Sequence, residues 1–374
     1  LDPYNVTIGS STSGDSYTGP NYSPNAQDST ILASDISSAL SNNNVTITTK
    51  ASAGTSVGDI TVASAITKSS GSATTLTLAA DRNIYVNQNI SGSSGHPLNV
   101  VLAARYEGGN TGGVGLTASI LSYGGDITIG GGDINASGYA IANSDVQKYI
   151  YDSGPSAAVN SGSALLKQSG IAMRGTSNFN TVVFVDASTG ASSQNLTGSS
   201  PSTNTDIANF VHTLANATGG GNVVLRGQGN PVNTYPGSQG LWISPGGVLT
   251  SGSGTISLIG YGGLYSSDFW GVGGAGIVIE GSQTNASYVM SGNGYISVNG
   301  TGNPSSYNDH GYVSTGTVYF ATKGAFGLSG TDLMIRNGQF YVYSELASDF
   351  FAPVVGTTNA CLLYTSPSPR DGLL

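Results

Sequence analysis

The chain has 374 residues; only 8% are charged, 56 are glycine, and its 11 basic residues leave it at a net charge of −9. Positive charge this thin and scattered excludes a nucleic-acid-binding face, and no apolar run reaches the roughly 18 residues that a membrane-spanning helix needs. Disorder is excluded as well, because 38% of the residues are hydrophobic and stand in short β-branched runs.

Residues 1–143 repeat two kinds of short strand. One is a plain apolar alternation, as in NVTITT (44–49), TLTLAA (75–80), LNVVLAA (98–104) and DITIGG (126–131). The other places apolar residues at offsets 0, 2 and 6: Ile60, Val62 and Ile66; then Ile84, Val86 and Ile90; then Val114, Leu116 and Ile120. A weaker copy is DINASGYAI (133–141). A period-2 pair reads as a strand with one face buried, and the third apolar residue returns to the interior after a bend. Clusters of Gly, Ser, Asn and Asp between the strands are turn signals. Self-similarity at this spacing is the signature of a solenoid, so the residues alone predict an all-β coil stacked on itself.

Two excursions interrupt this first set of coils. Residues 10–30 form an insertion rich in Ser, Gly, Tyr and Pro, and 144–168 read as a loop or short helical excursion. DSTILASDISSAL (28–40) suits either a helix capped by Ser34 or Asp35 or a docked strand and turn.

Residues 169–360 predict further coils. GIAMRG (170–175), GLWISPG (240–246) and GIVIEG (276–281) share a glycine-bounded apolar triplet, and each precedes a second strand. SGSGTISLIGYG (251–262) and SGNGYISVNGTG (291–302) align without a gap at a spacing of 40 residues. With coils of about 20 residues that spacing equals two coils, and about 16 coils would make a rod on the order of 75 Å long. Val318, Phe320, Leu333, Ile335, Phe340 and Val342 mark a less regular last unit. The segment 361–374, CLLYTSPSPRDGLL, breaks every pattern before it and resembles translated sequencing-adapter DNA, a non-native tail. It holds the only cysteine, Cys361; a native stretch without cysteine suits an exported protein.

LDPYNVTI (1–8), SDISSALSNNNVTITT (34–49), GDITVASAI (58–66), LTLAADRNIYVNQNIS (76–91) and LNVVLAAR (98–105) resemble the filamentous-haemagglutinin-like large adhesins of Gram-negative bacteria. The resemblance implies a right-handed parallel β-helix exported by two-partner secretion, with an outer-membrane translocator as its partner during export. It further implies a secreted or cell-surface location and attachment to host-cell or surface glycans and proteins. The Asn-rich motifs of that family's secretion-recognition domain have no match here, so the expected role is that of shaft.

No catalytic, metal or cofactor set is expected. His96, His212 and His310 lack metal-ligand spacing. GGDITIGGGDI (124–134) is superficially like a calcium-binding nonapeptide, but Asp126 and Asp133 read better as turn residues. The alternative function is a β-helical carbohydrate-active enzyme, a polysaccharide lyase or hydrolase. Such an enzyme needs paired carboxyls, and the acidic residues look scattered, with Asp332, Arg336 and Glu345 the one weak grouping. Possible glycan contacts are Tyr261, Tyr265 and Trp270 in the aromatic-rich stretch YGGLYSSDFWGVGG (261–274).

Overall fold

A computed structural model describes residues 2–12, 19–24, 28–49, 51–54, 57–143, 169–174, 182–190, 192–196, 204–232, 238–264, 274–281, 285–305, 310–330, 333–344 and 363–364. The chain is an all-β parallel β-helix whose coil has three faces. The first face stacks Ser29–Leu32, Val6–Gly9, Ile60–Val62, Ile84–Val86, Val114–Leu116, Ser169–Arg174, Gln239–Ser244 and Ile277–Glu280 in that order, all parallel. The second face stacks Ile66–Thr67, Ile90–Ser91, Ile120–Leu121, Val183–Asp186, Gly246–Leu249 and Ser287–Met290. The third runs from Asn21–Tyr22 through Val45–Thr48, Thr74–Ala79, Leu98–Ala104, Ile127–Gly131, Val223–Gln228, Ile256–Tyr261 and Ile296–Thr301 to Phe326–Gly330.

The offset-0-2-6 phrase is one corner of this coil. Ile60 and Val62 lie on the first face, and Ile66 lies on the second after the bend. Ile84 pairs in register with both Ile60 and Val114, and Ile90 with both Ile66 and Ile120. Inward residues from all three faces form one continuous core from Val6 to Val342. Ile60, Ile84, Leu116, Ile256 and Ile296 are all fully buried, as their spacing predicts.

Two strands join the first and second faces. Tyr312–Thr322 and Leu333–Ser344 each run along both, with an irregular register between Thr315 and Gly316. Gly316 takes a φ of 66° there, a left-handed value that glycine adopts without strain.

The coil count differs from expectation. Ile256 pairs directly with Ile296, so the 40-residue spacing is one coil, not two. Three strands are needed to close a coil, and the surplus length lies in the connections between faces. Nine strands stack along the third face, which makes a rod on the order of 40 Å long.

The first coil also leaves the expected order. Val6–Gly9 sits inside Ser29–Leu32, and Asn21–Tyr22 is outermost on the third face, so the chain runs outward before it returns. Segment 28–40 supplies both a strand and a helix, α1 (Ala33–Ala39). Neither Ser34 nor Asp35 caps α1, because its N-cap position is Leu32 and no side chain bonds there. α1 packs beside Ile66–Thr67, where the Thr67 amide donates to Ser37 Oγ at 3.1 Å. Ile36 and Leu40 are fully buried, so α1 closes the core where the second face runs out of strands.

Two further helices are α2 (Ser193–Leu196) and α3 (Asn204–Asn216). Ile207, Val211 and Leu214 of α3 cover the outward side chains Phe184, Leu249, Tyr288 and Tyr319 of the second face. The excursion at 144–168 lies outside the described residues. In the terminal segment, Leu363–Tyr364 pairs in parallel with Tyr341 and Val342, which gives two of its residues a strand partner that the sequence pattern did not suggest.

Candidate functional site

Most polar side chains at the corners are occupied in holding one coil to the next. At the entrance to the third face, Asn44 Oδ1 accepts from the Thr75 amide (2.9 Å) and Asn99 Oδ1 from the Asp126 amide (2.8 Å). Asp126 Oδ1 accepts from the Asn222 amide (2.7 Å), and Asn222 Oδ1 accepts from the Thr255 amide (3.0 Å). The first face has a matching series, in which Asn5 Oδ1 takes the Asp59 amide (2.9 Å), Asp59 Oδ1 the Asn83 amide (3.0 Å) and Asn83 Oδ1 the Gly113 amide (2.9 Å). Each residue satisfies a corner N–H that no ladder strand reaches. Asp133 is a turn residue too, accepting from the amides of Asn135 and Ser137, and Ser137 holds its carboxyl below the ordinary range.

Lys68 stands at a third corner series, in which side chains donate to corner carbonyls. Its buried amine donates to the carbonyls of Ser70 (2.5 Å) and Gly71 (3.1 Å). On later coils the same corner uses hydroxyls: Thr250 Oγ1 donates to Gly221 O (2.5 Å) and Ser291 Oγ to Gly254 O (2.8 Å). Burial lowers the pKa of the Lys68 amine. His96 lies beside it, with Nδ1 2.9 Å from Gly71 O.

Two groups of side chains have chemistry to spare. The first lies outside the third face. Tyr261 ends the strand Ile256–Tyr261 and is 39% exposed. Its ring meets Tyr139 edge to face at 5.1 Å. Arg226, on the coil below, donates from Nη1 to Ala136 O at 3.3 Å and favours the ionised forms of Asp133 and Tyr139. Burial, then Tyr261, raises the Tyr139 hydroxyl above its usual pKa. Two phenol rings beside a guanidinium form an amphipathic platform, apolar on the faces and hydrogen-bonding at the edge. Tyr265 and Trp270 lie outside the described residues.

The second group is a corner between the third and first faces. Asp81 is pushed up to about 6, first by burial and then by the Glu107 carboxylate. The Tyr106 hydroxyl stands between acceptors, 2.9 Å from Thr49 O and 3.0 Å from Glu107 Oε1, and burial raises its pKa. Arg105, held at a φ of 46°, donates to the carbonyls of Gly109 and Tyr139. Arg82 pairs with Asp59 at 2.7 Å, the one ion pair among the described residues. Charge is therefore gathered on adjacent coils here, and not merely scattered as it looks in sequence.

Of the expected grouping near the end, Asp332 and Glu345 lie outside the described residues, and Arg336 stands opposite Thr315 where Leu333–Ser344 pairs with Tyr312–Thr322. No three or more His, Cys, Asp or Glu side chains converge among the described residues. Tyr139 and Arg226 were missed in sequence because they lie far from Tyr261 along the chain. Register alone unites them: Ala140 pairs with Gly227, and Gln228 pairs with Tyr261. No protein family, curated protein or solved structure matches this chain.

Proposed function

We propose that this chain is a shaft segment of a secreted, cell-surface bacterial adhesin of the haemagglutinin-like kind, working in attachment or aggregation. The observation that carries the reading is the uninterrupted stacking of coils around one core from Val6 to Val342. Such an array makes a stiff spacer with long lateral surfaces, suited to presenting contacts away from a cell. The resemblance of roughly residues 1–345 to that family supports it, and so does the Tyr139–Tyr261–Arg226 platform, whose chemistry suits a glycan or a protein surface. On this reading the chain leaves a Gram-negative cell through an outer-membrane translocator. Displaying it on a non-adherent bacterium tests the idea. The expected result is a gain in adhesion to epithelial cells or in autoaggregation, reduced by Tyr261→Ala. Unchanged adhesion and aggregation would overturn it.

A second reading, a β-helical carbohydrate-active enzyme, is favoured by the Asp81–Glu107 pair. A carboxyl with a pKa near 6 beside a second carboxylate is the arrangement a general acid needs. Release of reducing ends from a polysaccharide, lost in Asp81→Asn, would establish this reading over the first.

A further inference from the structure

A cleft of about 180 Å³ opens between α2, α3 and the corner at Ser251. It lies apart from the Tyr261 platform and the Asp81 corner. Its lining carries no charged side chain. Thr189, Ser192, Asn195, Thr213 and Ser251 supply four hydroxyls and one side-chain amide. The Thr213 hydroxyl donates to Asn209 O (3.0 Å), that of Ser192 to Ser188 Oγ, and those of Thr189 and Ser251 lie 3.3 Å apart, so the hydroxyls are left chiefly as acceptors. Phe210 and Leu214 supply the apolar wall. The side chain of Asn195 is exposed and its carboxamide makes no hydrogen bond among the described residues, so it is open to a ligand.

Both walls are fixed before any ligand arrives. On one side, buried Asp186 accepts from the amides of Ser188 (2.8 Å) and Ser193 (2.9 Å), which ties α2 and its approach to the second face. On the other, the last carbonyls of α3 are held by the coil: the Gly252 amide donates to Leu214 O (2.9 Å) and Asn293 Nδ2 to Ala215 O (2.8 Å). The Ser251 hydroxyl accepts from the Thr189 amide at 3.1 Å and bridges the two sides. A rigid site loses little on binding.

We propose that this cleft binds a single neutral sugar ring. It is smaller than the roughly 300 Å³ of ordinary ligand pockets, so it takes one ring and not a chain of them. Hydroxyl oxygens left as acceptors, together with the Asn195 side-chain amide, which both donates and accepts, match sugar hydroxyls, and the Phe210 ring offers a surface for a pyranose C–H face. The uncharged lining, in a chain of net charge −9, selects against acidic sugars.

The test is calorimetry and saturation-transfer NMR on the full chain, with glucose, galactose, mannose and N-acetylglucosamine as probes. Saturable binding of at least one is expected. Thr213→Trp fills the cleft from an exposed helix position and should weaken binding by about tenfold or more, and Asn195→Ala by about threefold, as the loss of one hydrogen bond predicts. Neither should change the melting temperature, and Tyr261→Ala should leave binding intact. Saturation by none of the four sugars, unaltered binding in both cleft variants, loss of binding in Tyr261→Ala, or preference for galacturonate or sialate would overturn the proposal.

Discussion

Asp81 gives the chain a pH dependence whose sign follows from its surroundings. Its folded pKa of about 6 exceeds the unfolded value of 3.8, because burial and Glu107 both oppose its charge. The folded state thus holds a proton that the unfolded state has lost between those values. Stability from this group is complete below the unfolded pKa and is lost as pH rises through 6. Asp81→Asn should therefore match the parent melting temperature at pH 3 and exceed it at pH 7.5, as thermal scans at the two pH values would record. Gly294 gives the opposite lesson, a residue whose lack of a side chain is the point. A Cβ there would lie 1.7 Å from the Gly254 carbonyl, the glycine at the same place in the coil below. This is why SG-x-G recurs at 251–254 and 291–294. Gly294→Ala should cost about 1–3 kcal/mol or more, read from urea unfolding.

The strands of the first and third faces were legible because alternation and Gly/Asn/Asp punctuation survive in every copy. Closure of the coil was not. The connections vary too much in length for a fixed period, so the direct pairing of Ile256 with Ile296 could be read as two turns. α3 carried a usable signal, since Ile207, Phe210, Val211 and Leu214 follow helical spacing, but Asn and Thr around them resemble the corner clusters. Tyr261 was readable as an exposed aromatic at a strand end; its partners Tyr139 and Arg226 were not, because coil register brings them together. The outer position of α3 has a consequence. Val211 is fully buried against the second face, so Val211→Asp places an unpaired charge under the helix. The helix can lift off without opening the coil. Amide exchange should rise across 204–216 and dye binding should report exposed Tyr288 and Tyr319, while Val223–Gln228 and Ile256–Tyr261 keep their protection.

Along the whole rod, each coil touches only the coils above and below, so stability approximates a sum of neighbour terms. Few charges act at long range: among the described residues, one ion pair, Arg82 with Asp59, joins two coils. Cooperativity must then pass through the shared core and the three corner series, and it should fade with distance along the axis. Ile84 is the place to test this. It sits fully buried on the fourth strand of the first face, paired with Ile60 and Val114. Ile84→Lys buries an unpaired ammonium, which costs several kcal/mol. In a stack governed by neighbours the damage stays local. Hydrogen exchange followed by mass spectrometry should show faster exchange across Ile60–Val62, Thr74–Ala79, Leu98–Ala104 and Val114–Leu116. Strands Gln239–Ser244, Ile256–Tyr261 and Ile296–Thr301 should retain the protection of the parent chain, and denaturant unfolding should split into two transitions. Equal loss of protection at both ends, with one transition, would mean that the coils fold as a single unit and that the core, not the neighbour contact, sets the stability of the rod.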